Sequence, residues 1–199
     1  MTKKQSLSIE TVEEKEPELL FTRPELLLHP NLPKPLHGLN PRTVMGQKWW
    51  NNERRRAYAT NNYHCWACGT YRNFNLDLNK FCDDSGESLD AHECYRIDYE
   101  KKEVELVEIV AICKNCHQYI HSGRTNSLYE KGVIDEKDCF IVFSHGDSIL
   151  IDAGLIPCNE VDTNTYQEEW NEWKLIIDGK EHYSKFKDYF EWYKHYMIG

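Results

Sequence analysis

Two short stretches decide the fold of this chain: Cys65-Trp-Ala-Cys68-Gly69 and Cys113-Lys-Asn-Cys116-His117. In each, two cysteines are separated by two residues, so that one tight turn can aim both sulfurs at a single point. Zinc prefers four thiolate or imidazole ligands in a tetrahedron, and two such pairs supply that set. The pairs therefore predict one structural Zn²⁺ site formed by Cys65, Cys68, Cys113 and Cys116. Four unligated thiols in a core are the alternative.

The remaining cysteines and the first residues of the chain indicate the cellular compartment of the protein. The chain has 199 residues and eight cysteines, and its N-terminus has no basic segment followed by an apolar stretch. We therefore expect a cytoplasmic protein with reduced thiols. No run approaches the ~20 apolar residues of a membrane span, so no membrane partner is expected. Four cysteines are expected to be ordinary buried or half-buried thiols: Cys82, Cys94, Cys139 and Cys158.

Between the two cysteine pairs, the sequence changes from a polar loop to two strands. Residues 89–99 and 103–112 have strand-like composition and are joined at Glu100-Lys-Lys102, which predicts a hairpin. The second cysteine pair then opens a short helix that ends near His121, before Ser122-Gly123. The order of cysteine turn, hairpin and helix predicts an α+β fold with a zinc-stabilised treble clef at its centre.

The flanking segments divide the chain into three predicted units. Six of the seven prolines fall within the first 41 residues, so residues 1–40 are expected to form an extended Pro-rich arm without regular elements. Residues 41–124 are the zinc domain, which begins with a basic helix capped by Asn40 and running to about residue 61. Residues 125–199 are a helical and hairpin-helix extension packed on that domain.

Capping and turn residues divide the C-terminal extension into four predicted elements. Each predicted helix begins after a residue whose side chain can act as an N-cap, and the first two end at a glycine. The dipeptide Asp-Gly is typical of the type I′ turn of a hairpin. The elements are a helix after Asp135 that Gly146 ends, a shorter helix after Asp147 that stops at Gly154, a hairpin over residues 173–183 turning at Asp178-Gly179, and a final helix capped by Ser184.

Three histidines lie beside the predicted zinc site. His117 follows Cys116 directly and His121 lies four residues further on, so both face one side of the short helix. On the first strand, Asp90 and His92 alternate onto one face. When a helix packs across such a hairpin, these two faces enclose a second site lined with nitrogen and oxygen atoms. Surface or zinc-neighbouring histidines without a catalytic role are the alternative.

In these residues the chain resembles the HNH endonuclease superfamily, also called the ββα-metal nucleases. The resemblance covers residues 60–124 and rests on three motifs: Cys65-x-x-Cys68, Leu89-Asp-Ala-His-Glu93 and Ile112-Cys-Lys-Asn-Cys-His-Gln-Tyr-Ile-His-Ser-Gly-Arg124. The chain is also similar to uncharacterised bacterial and phage HNH-like proteins. These share Asn40-Pro-Arg-Thr43, Trp49-Trp50 and His121-Ser-Gly-Arg124. That similarity implies a bacterial cell or a phage-infected host.

The resemblance implies an endonuclease that hydrolyses phosphodiester bonds in DNA, with RNA as the alternative. His92 matches the general base that activates water. His117 matches the helix histidine that holds a catalytic cation, which is Mg²⁺ or another divalent ion, and His121 matches a further helix histidine of some members. Imidazole suits the first role because it titrates near neutral pH.

Two positions depart from the family pattern. Ala91 stands where most members place an acidic or histidine metal ligand, and Glu108 stands where asparagine is usual. Asp90 and Glu93 flank the gap and either could substitute; we take Asp90 as a cation ligand and Glu93 as a catalytic residue. An HNH-like zinc protein that has kept the fold and lost the reaction is the alternative.

The distribution of charge bears on the partners. The net charge is −9, yet residues 42–72 carry six bases and one acid, whereas residues 125–199 carry seven bases and fifteen acids. The acidic region and the N-terminal arm suggest a protein partner, as an inhibitor or adaptor would have, and the aromatic C-terminal helix suggests a homodimer. The basic segment predicts contacts with nucleic-acid phosphates, a solvated helix face being the alternative. The candidate residues are Arg54, Arg55, Arg56, Arg72 and Arg124.

Overall fold

The computed structural model describes residues 16–30, 32–72, 74–75, 80–81, 88–156 and 170–198. Over these residues the chain has a mixed α+β fold built on one four-stranded sheet. A separate antiparallel pair, β1 (Phe74–Asn75) and β2 (Lys80–Phe81), lies in the segment predicted to be a polar loop. The predictions for residues 1–15, Cys82 and Cys158 fall outside the described residues.

Both predicted hairpins are present in the four-stranded sheet. The spatial order of its strands is β3 (Asp90–Asp98), β4 (Glu103–Ile112), β5 (Lys174–Ile177) and β6 (Lys180–Tyr183). Asp178 and Gly179 have φ angles of 49° and 72°, the positive values that a type I′ turn requires. Strand β5 pairs in parallel with β4, so the C-terminal extension and the predicted zinc domain share one sheet.

Helices pack around this sheet and enclose two hydrophobic clusters. The α-helices of the described residues are α1 (Pro41–Met45), α2 (Gln47–Thr60), α3 (Lys114–Ile120), α4 (Ser122–Glu130), α5 (Glu136–Asp152) and α6 (Tyr189–Tyr193). The larger cluster joins β3 and β4 to α2, α3 and α5 and includes the buried Cys65, Cys113 and Cys116. The smaller one lies around β5, with the fully buried Trp173 and Leu175 at its centre.

The helix predicted over residues 41–61 is two helices. Asn40 caps α1 as expected, because its Oδ1 accepts a hydrogen bond from the backbone N–H of Thr43 at 2.8 Å. Gly46 then adopts a φ angle of 85° and separates α1 from α2. Glycine reaches this conformation without the steric penalty of a Cβ atom, which explains why the chain turns here.

Helix α5 is continuous through Gly146, where two shorter helices are predicted. Its start is as expected, since Asp135 caps it and forms a capping box with Asp138. Glycine at position 146 serves close packing and not helix termination, because a Cβ atom there would clash with the ring of Tyr119 on α3. The missing side chain therefore lets α5 lie directly against α3.

Two other helix boundaries differ from prediction. Helix α3 ends at Ile120 as expected, but Ser122-Gly123 opens α4 instead of a loop. Ser184 does not cap the final helix. Its Oγ accepts hydrogen bonds from Trp170 Nε1 at 2.9 Å and from the N–H of Phe186 at 3.1 Å. Asp188 caps α6 in its place.

Residues 16–30 and 32–40, which we call the strap, lie across the domain. The strap contains two 3₁₀ helices, Pro24–Leu28 and Lys34–Leu36, so the prediction that it holds no regular element is wrong. Proline is compatible with the first turn of each, where its missing N–H would have no helical partner. The fully buried Asn61 fixes the strap to the end of α2. Its amide accepts hydrogen bonds from the N–H groups of Leu20 and Phe21 and donates one to Phe21 O.

The strap also contacts the C-terminal helix through His37. Trp192 Nε1 donates a hydrogen bond to His37 Nδ1 at 3.1 Å, and His37 Nε2 lies 3.0 Å from the carbonyl oxygen of Leu32. Both bonds form only with a neutral imidazole that carries its proton on Nε2. Burial lowers the pKa of His37 and favours this neutral form.

Replacing Gly146 with alanine is expected to lower the free energy of unfolding by about 1–3 kcal/mol, the usual cost of overpacking. Gly123→Ala is the matched control, because it is also helical and its new Cβ atom would meet nothing within 4 Å. Alanine there should leave stability unchanged or raise it slightly through helix propensity. Urea unfolding of both variants measures the difference, and equal stability would contradict the close approach of α5 to Tyr119.

His37 is expected to reduce stability as the pH falls. Its pKa is lowered in the folded state, so the unfolded chain binds the proton first, near the ordinary value of about 6.5. Its contribution to the free energy of unfolding is therefore constant above that pH. Below it the contribution decreases, by at most ~1.4 kcal/mol per pH unit, until the folded-state pKa is reached.

The measurement is the urea midpoint at about pH 7.5 and about pH 5.5, on the two sides of that value. In His37→Gln the amide does not titrate, so the midpoint should fall less between the two pH values than it does in the unmodified chain. An identical fall in both proteins would show that His37 does not carry this pH dependence.

Candidate metal centres

The four cysteines of the two pairs come together in space. Their Sγ atoms all lie within 4.8 Å of one another. Cys65, Cys113 and Cys116 are buried and Cys68 is half-buried. Four sulfur atoms at this separation are the donor set that zinc prefers. The cluster could therefore hold a metal ion such as zinc, which agrees with the sequence prediction.

Local backbone geometry aims the first pair. The N–H of Gly69 donates to the carbonyl oxygen of Cys65 at 2.8 Å, and the N–H of Cys65 donates to Thr70 O at 2.9 Å. Gly69 has a φ angle of 76°, which closes this turn. The second pair lies at the start of α3, with Cys113 as its N-cap residue. Backbone N–H groups at a helix start favour negative charge on both of its sulfurs.

Electrostatics within the cluster favour thiolates at two positions. The hydrogen bond with Cys113 lowers the pKa of Cys68, and the hydrogen bond with Cys116 lowers the pKa of Cys113. His145 on α5 lies against the cluster, with its Nε2 3.4 Å from Cys116 Sγ. Hydrogen bonds to Cys113 and Cys68 raise the pKa of His145 to about 10. The sequence gives no local signal for His145, which reaches the cluster because α5 packs against α3.

The three histidines predicted to lie together also do so. One ring nitrogen of each of His92, His117 and His121 lies within 4.8 Å of the others. The ring centroids are 5.4 Å apart for His92 and His117 and 5.1 Å apart for His92 and His121. His92 comes from β3, whereas His117 lies in α3 and His121 at its end. The packing of α3 across β3 therefore forms the second site that the alternation predicts.

Two of these histidines, His92 and His121, are held in the neutral state near pH 7. Burial, followed by repulsion from His121 and His117, lowers the pKa of His92 to about 2. Burial, followed by the charges of His117 and Arg124, lowers the pKa of His121 to about 4. Neutral imidazole is the form that binds a metal ion, so both rings are available as ligands.

Asp90 lies beside this group, and Ala91 does not. The Oδ2 atom of Asp90 is 2.8 Å from Nδ1 of His117, so the carboxylate orients that ring. Asp90 is predicted to be a cation ligand, and here its oxygen contacts a histidine. Ala91 packs against the larger hydrophobic cluster. Ala91, which departs from the pattern of the predicted resemblance, thus packs in the core. The carboxylate of Asp90, next to it in the chain, contacts His117 on α3.

A cavity of about 250 Å³ adjoins the histidines. His92, His121 and Glu93 line it, and burial raises the pKa of Glu93. The strap supplies one wall with His29, whose Nε2 accepts a hydrogen bond from the N–H of Tyr95 at 2.8 Å. The ring of His29 lies edge-on to that of His92 at 5.7 Å. Sequence analysis missed His29 because nothing near it in the chain indicates a site.

The candidate phosphate-binding arginines lie on different segments of the chain. Arg124 is exposed at the start of α4, near enough to His121 to influence its pKa. Arg55 and Arg56 are exposed on α2, where Arg56 pairs with Glu53. The two others are half-buried: Arg54 and Arg72. Of these five arginines, Arg124 is the one whose charge lowers the pKa of a histidine in the group.

Glu108, the second departure from the family pattern, binds the strap. Its Oε1 lies 2.6 Å from Nη1 of Arg23. The backbone N–H of Arg23 also donates to the carbonyl oxygen of Trp66, at 2.6 Å, beside the first cysteine pair. An acidic side chain at position 108 therefore has a structural role, because it joins the strap to β4.

Comparison with known proteins finds no relative of this chain. No protein-family model, curated protein or solved structure matches this chain. Among the described residues, every helix is too short or too polar to cross a lipid bilayer. The resemblance to HNH endonucleases therefore stays a prediction, and function has to be inferred from the geometry of the site.

Cys116→Ser is expected to remove zinc from the four-thiol cluster and to lower the free energy of unfolding by about 3 kcal/mol or more, because binding and folding are coupled. Cys139→Ser is the matched control, since this half-buried thiol on α5 lies outside the cluster. Elemental analysis of the purified proteins and their thermal unfolding give the two readouts. Equal zinc content in both variants would contradict a zinc site at these four thiols.

Proposed function

We propose that this protein is a metal-dependent endonuclease of the HNH type, with structural zinc at the four thiols and the histidine group as its reaction centre. The observation that carries the proposal is the convergence of His92, His117 and His121 within 4.8 Å. A divalent cation bound there would favour the ionisation of water and stabilise the negative charge that develops on a phosphodiester. Hydrolysis of nucleic acid is the reaction that such a centre fits best.

The order of the elements supports a treble-clef core for this enzyme. The cysteine turn at residues 65–69, the β3–β4 hairpin and α3 follow one another along the chain. Cys116 and His117 are adjacent on α3, so one helix contributes to both candidate metal centres. Zinc at the thiols would hold α3 across β3 and thereby set the separation of His117 from His92.

Two kinds of side chain support a nucleic-acid substrate. Arg124 is exposed next to the histidine group, and Arg55 and Arg56 are exposed on α2, where they can pair with phosphates. Glu93 lines the cavity, and the raised pKa of this carboxyl brings its proton exchange closer to neutral pH. We take DNA as the substrate class, with RNA as the alternative to be tested beside it.

One observation favours a second candidate function. His92 is only 4% exposed, and the strap covers it through His29. A phosphodiester would have to displace this cover to reach the ring. The second candidate is an inactive HNH-like zinc protein that binds a protein partner through its acidic C-terminal region or its strap. The exposed Phe190 and Met197 would also suit a homodimer through the C-terminal helix.

The endonuclease should convert supercoiled plasmid to nicked circles in the presence of a divalent cation. His92→Ala should lower the rate by ~10²–10⁴-fold, the usual contribution of a positioned catalytic group. His195→Ala, at an exposed C-terminal histidine, should cleave like the unmodified protein. Gel assays with Mg²⁺, Mn²⁺, Ni²⁺ and Zn²⁺ on plasmid and on single-stranded RNA measure both the activity and the substrate class.

Equal cleavage by the His92→Ala and unmodified proteins would identify a contaminating nuclease and overturn the proposal. Absence of cleavage with every cation, in protein whose metal content has been verified, would favour the second candidate. Light scattering over a range of concentrations would then separate a homodimer from a monomer that requires another protein.

A further inference from the structure

The cavity beside the histidines is formed by segments that are far apart in the sequence. Strand β3 contributes Tyr95, α3 contributes Ile120, and the strap forms a wall with Leu32 and Leu39. Tyr196, which follows α6 in the chain, completes the lining and is 46% exposed, so its ring lies at the protein surface. The cavity therefore exists only in the folded chain with the strap in place.

The strap is attached to the domain on both sides of this cavity. On the N-terminal side, the guanidinium of Arg23 pairs with Glu108 at 2.6 Å. On the C-terminal side, His37 accepts the hydrogen bond of Trp192, and Leu36 is fully buried in the smaller hydrophobic cluster. A ligand that enters the cavity leaves these contacts intact, whereas a duplex lying over the histidine group would have to displace the strap.

The volume of the cavity limits what it can hold. It is about 250 Å³. An apolar cavity of about 150 Å³ can bind benzene, and pockets for drug-sized ligands span about 300–1,000 Å³. The cavity therefore has room for one planar group of one or two fused rings, and a base pair is too large for it.

The lining suits a ligand group that is planar and uncharged. His29 and His37 each accept an N–H hydrogen bond on one ring nitrogen, so both rings are neutral. No lysine or arginine occurs among the described residues that line the cavity, so the lining has no cation for a phosphate. Tyr95 and Tyr196 are aromatic side chains against which a planar ring can pack, and Glu93 has oxygen atoms for hydrogen bonds.

His92 is independent evidence for a ligand in the cavity. It lines this space and is only 4% exposed, yet both of its ring nitrogens are buried without a hydrogen-bond partner among the described residues. Buried polar atoms usually have a partner, which can be protein, water or a ligand. The cation of the proposed function would occupy one of the two nitrogens. The other still needs a hydrogen bond, and a polar ligand in the cavity can supply it.

We propose that the cavity binds one unpaired nucleobase of a nucleic-acid strand. A nucleobase is an uncharged planar heterocycle with hydrogen-bonding edges, and one base fits this space. The adjoining phosphodiester would then lie near the histidine group, because His92 and His121 line the same cavity. Arg124 is exposed at the start of α4, and its N–H donates to the carbonyl oxygen of His121 at 2.9 Å, so its side chain can pair with a neighbouring phosphate.

The base subsite deepens the proposed endonuclease function, because it names unpaired strands as the substrate class, and its use in cleavage rests on that function. Binding of the base does not rest on it and can be measured without cleavage.

Base binding is tested with fluorescently labelled oligonucleotides and the full-length protein, without added divalent cation so that the strand stays intact. A thymidine strand should bind, and an abasic strand of equal length should bind ~5–150-fold more weakly, which corresponds to the usual contribution of base–aromatic stacking. The thymidine strand paired with its complement should also bind more weakly. Equal affinity for the thymidine and abasic strands would show that phosphate contacts alone bind the strand and would overturn the proposal.

Two variants with matched controls locate the site. Leu32→Trp should fill the cavity and weaken binding of the thymidine strand, whereas Leu20→Trp, at an exposed strap position outside the lining, should not. Tyr196→Ala should also weaken binding, whereas Tyr193→Ala removes a neighbouring exposed ring that does not line the cavity. The tyrosine pair decides the matter if Leu32→Trp does not fold. Unchanged affinity in Tyr196→Ala would overturn the proposal.

Methyl signals in nuclear magnetic resonance spectra of the unmodified protein give a readout without any substitution. The thymidine strand should shift the signals of Leu39 and Ile120, which line the cavity, and not that of the exposed Ile141 on α5. Free thymidine should compete with the strand only at much higher concentration, because it has no phosphate. Unshifted Leu39 and Ile120 signals in the bound protein would overturn the proposal, and equal affinity for free thymidine would overturn the assignment to a strand.

The base subsite and the endonuclease fail separately. Base-dependent binding at the cavity without cleavage under any metal condition overturns only the endonuclease. Cleavage of duplex and abasic strands as fast as thymidine strands overturns only the base subsite.

Discussion

The contact on which the rest of the structure depends is the convergence of the four thiols. Cys68 and Cys113 are 45 residues apart in the sequence, yet their sulfurs lie 3.8 Å apart. This contact brings the cysteine turn against the start of α3 and so places α3 across β3, while His145 adds α5 from the other side. Several buried thiolates would repel one another without a counter-charge, so a cation such as zinc would stabilise the whole arrangement.

The strap performs a second structural function at the exposed edge of the sheet. β3 is an edge strand, and such strands carry unpaired backbone groups that can pair with other chains. Next to the irregularity between Cys94 and Tyr95, His29 accepts the free N–H of Tyr95. The same residue forms a wall of the cavity beside His92. The strap therefore accepts the hydrogen bond of one backbone N–H at the sheet edge, that of Tyr95, and limits access to the histidine group.

Ala91 and Glu108, the two residues that depart from the predicted HNH resemblance, both have structural roles in this fold. Ala91 packs into the larger hydrophobic cluster, and Asp90 supplies a carboxylate to His117 from the neighbouring position. Glu108 binds Arg23 and holds the strap against β4.

The sequence by itself determined the features that depend on near neighbours. The spacing of Cys65 and Cys68 places two sulfurs on one turn, the spacing of His117 and His121 places two rings on one helix face, and Asp178-Gly179 makes a tight hairpin turn. These follow from backbone geometry within a few residues, and the paired cysteines also indicated which distant segments meet.

Only the tertiary structure decided which contacts override those local signals. Glycine is typical of a helix end, but Gly146 lies within α5, where the ring of Tyr119 packs directly against it. The packing of α5 against α3 places His145 beside the thiols, and the strap places His29 in the wall of the cavity. The physical reason is that steric fit and hydrogen bonding between segments far apart in the chain leave no periodic or spaced pattern in the sequence of either segment.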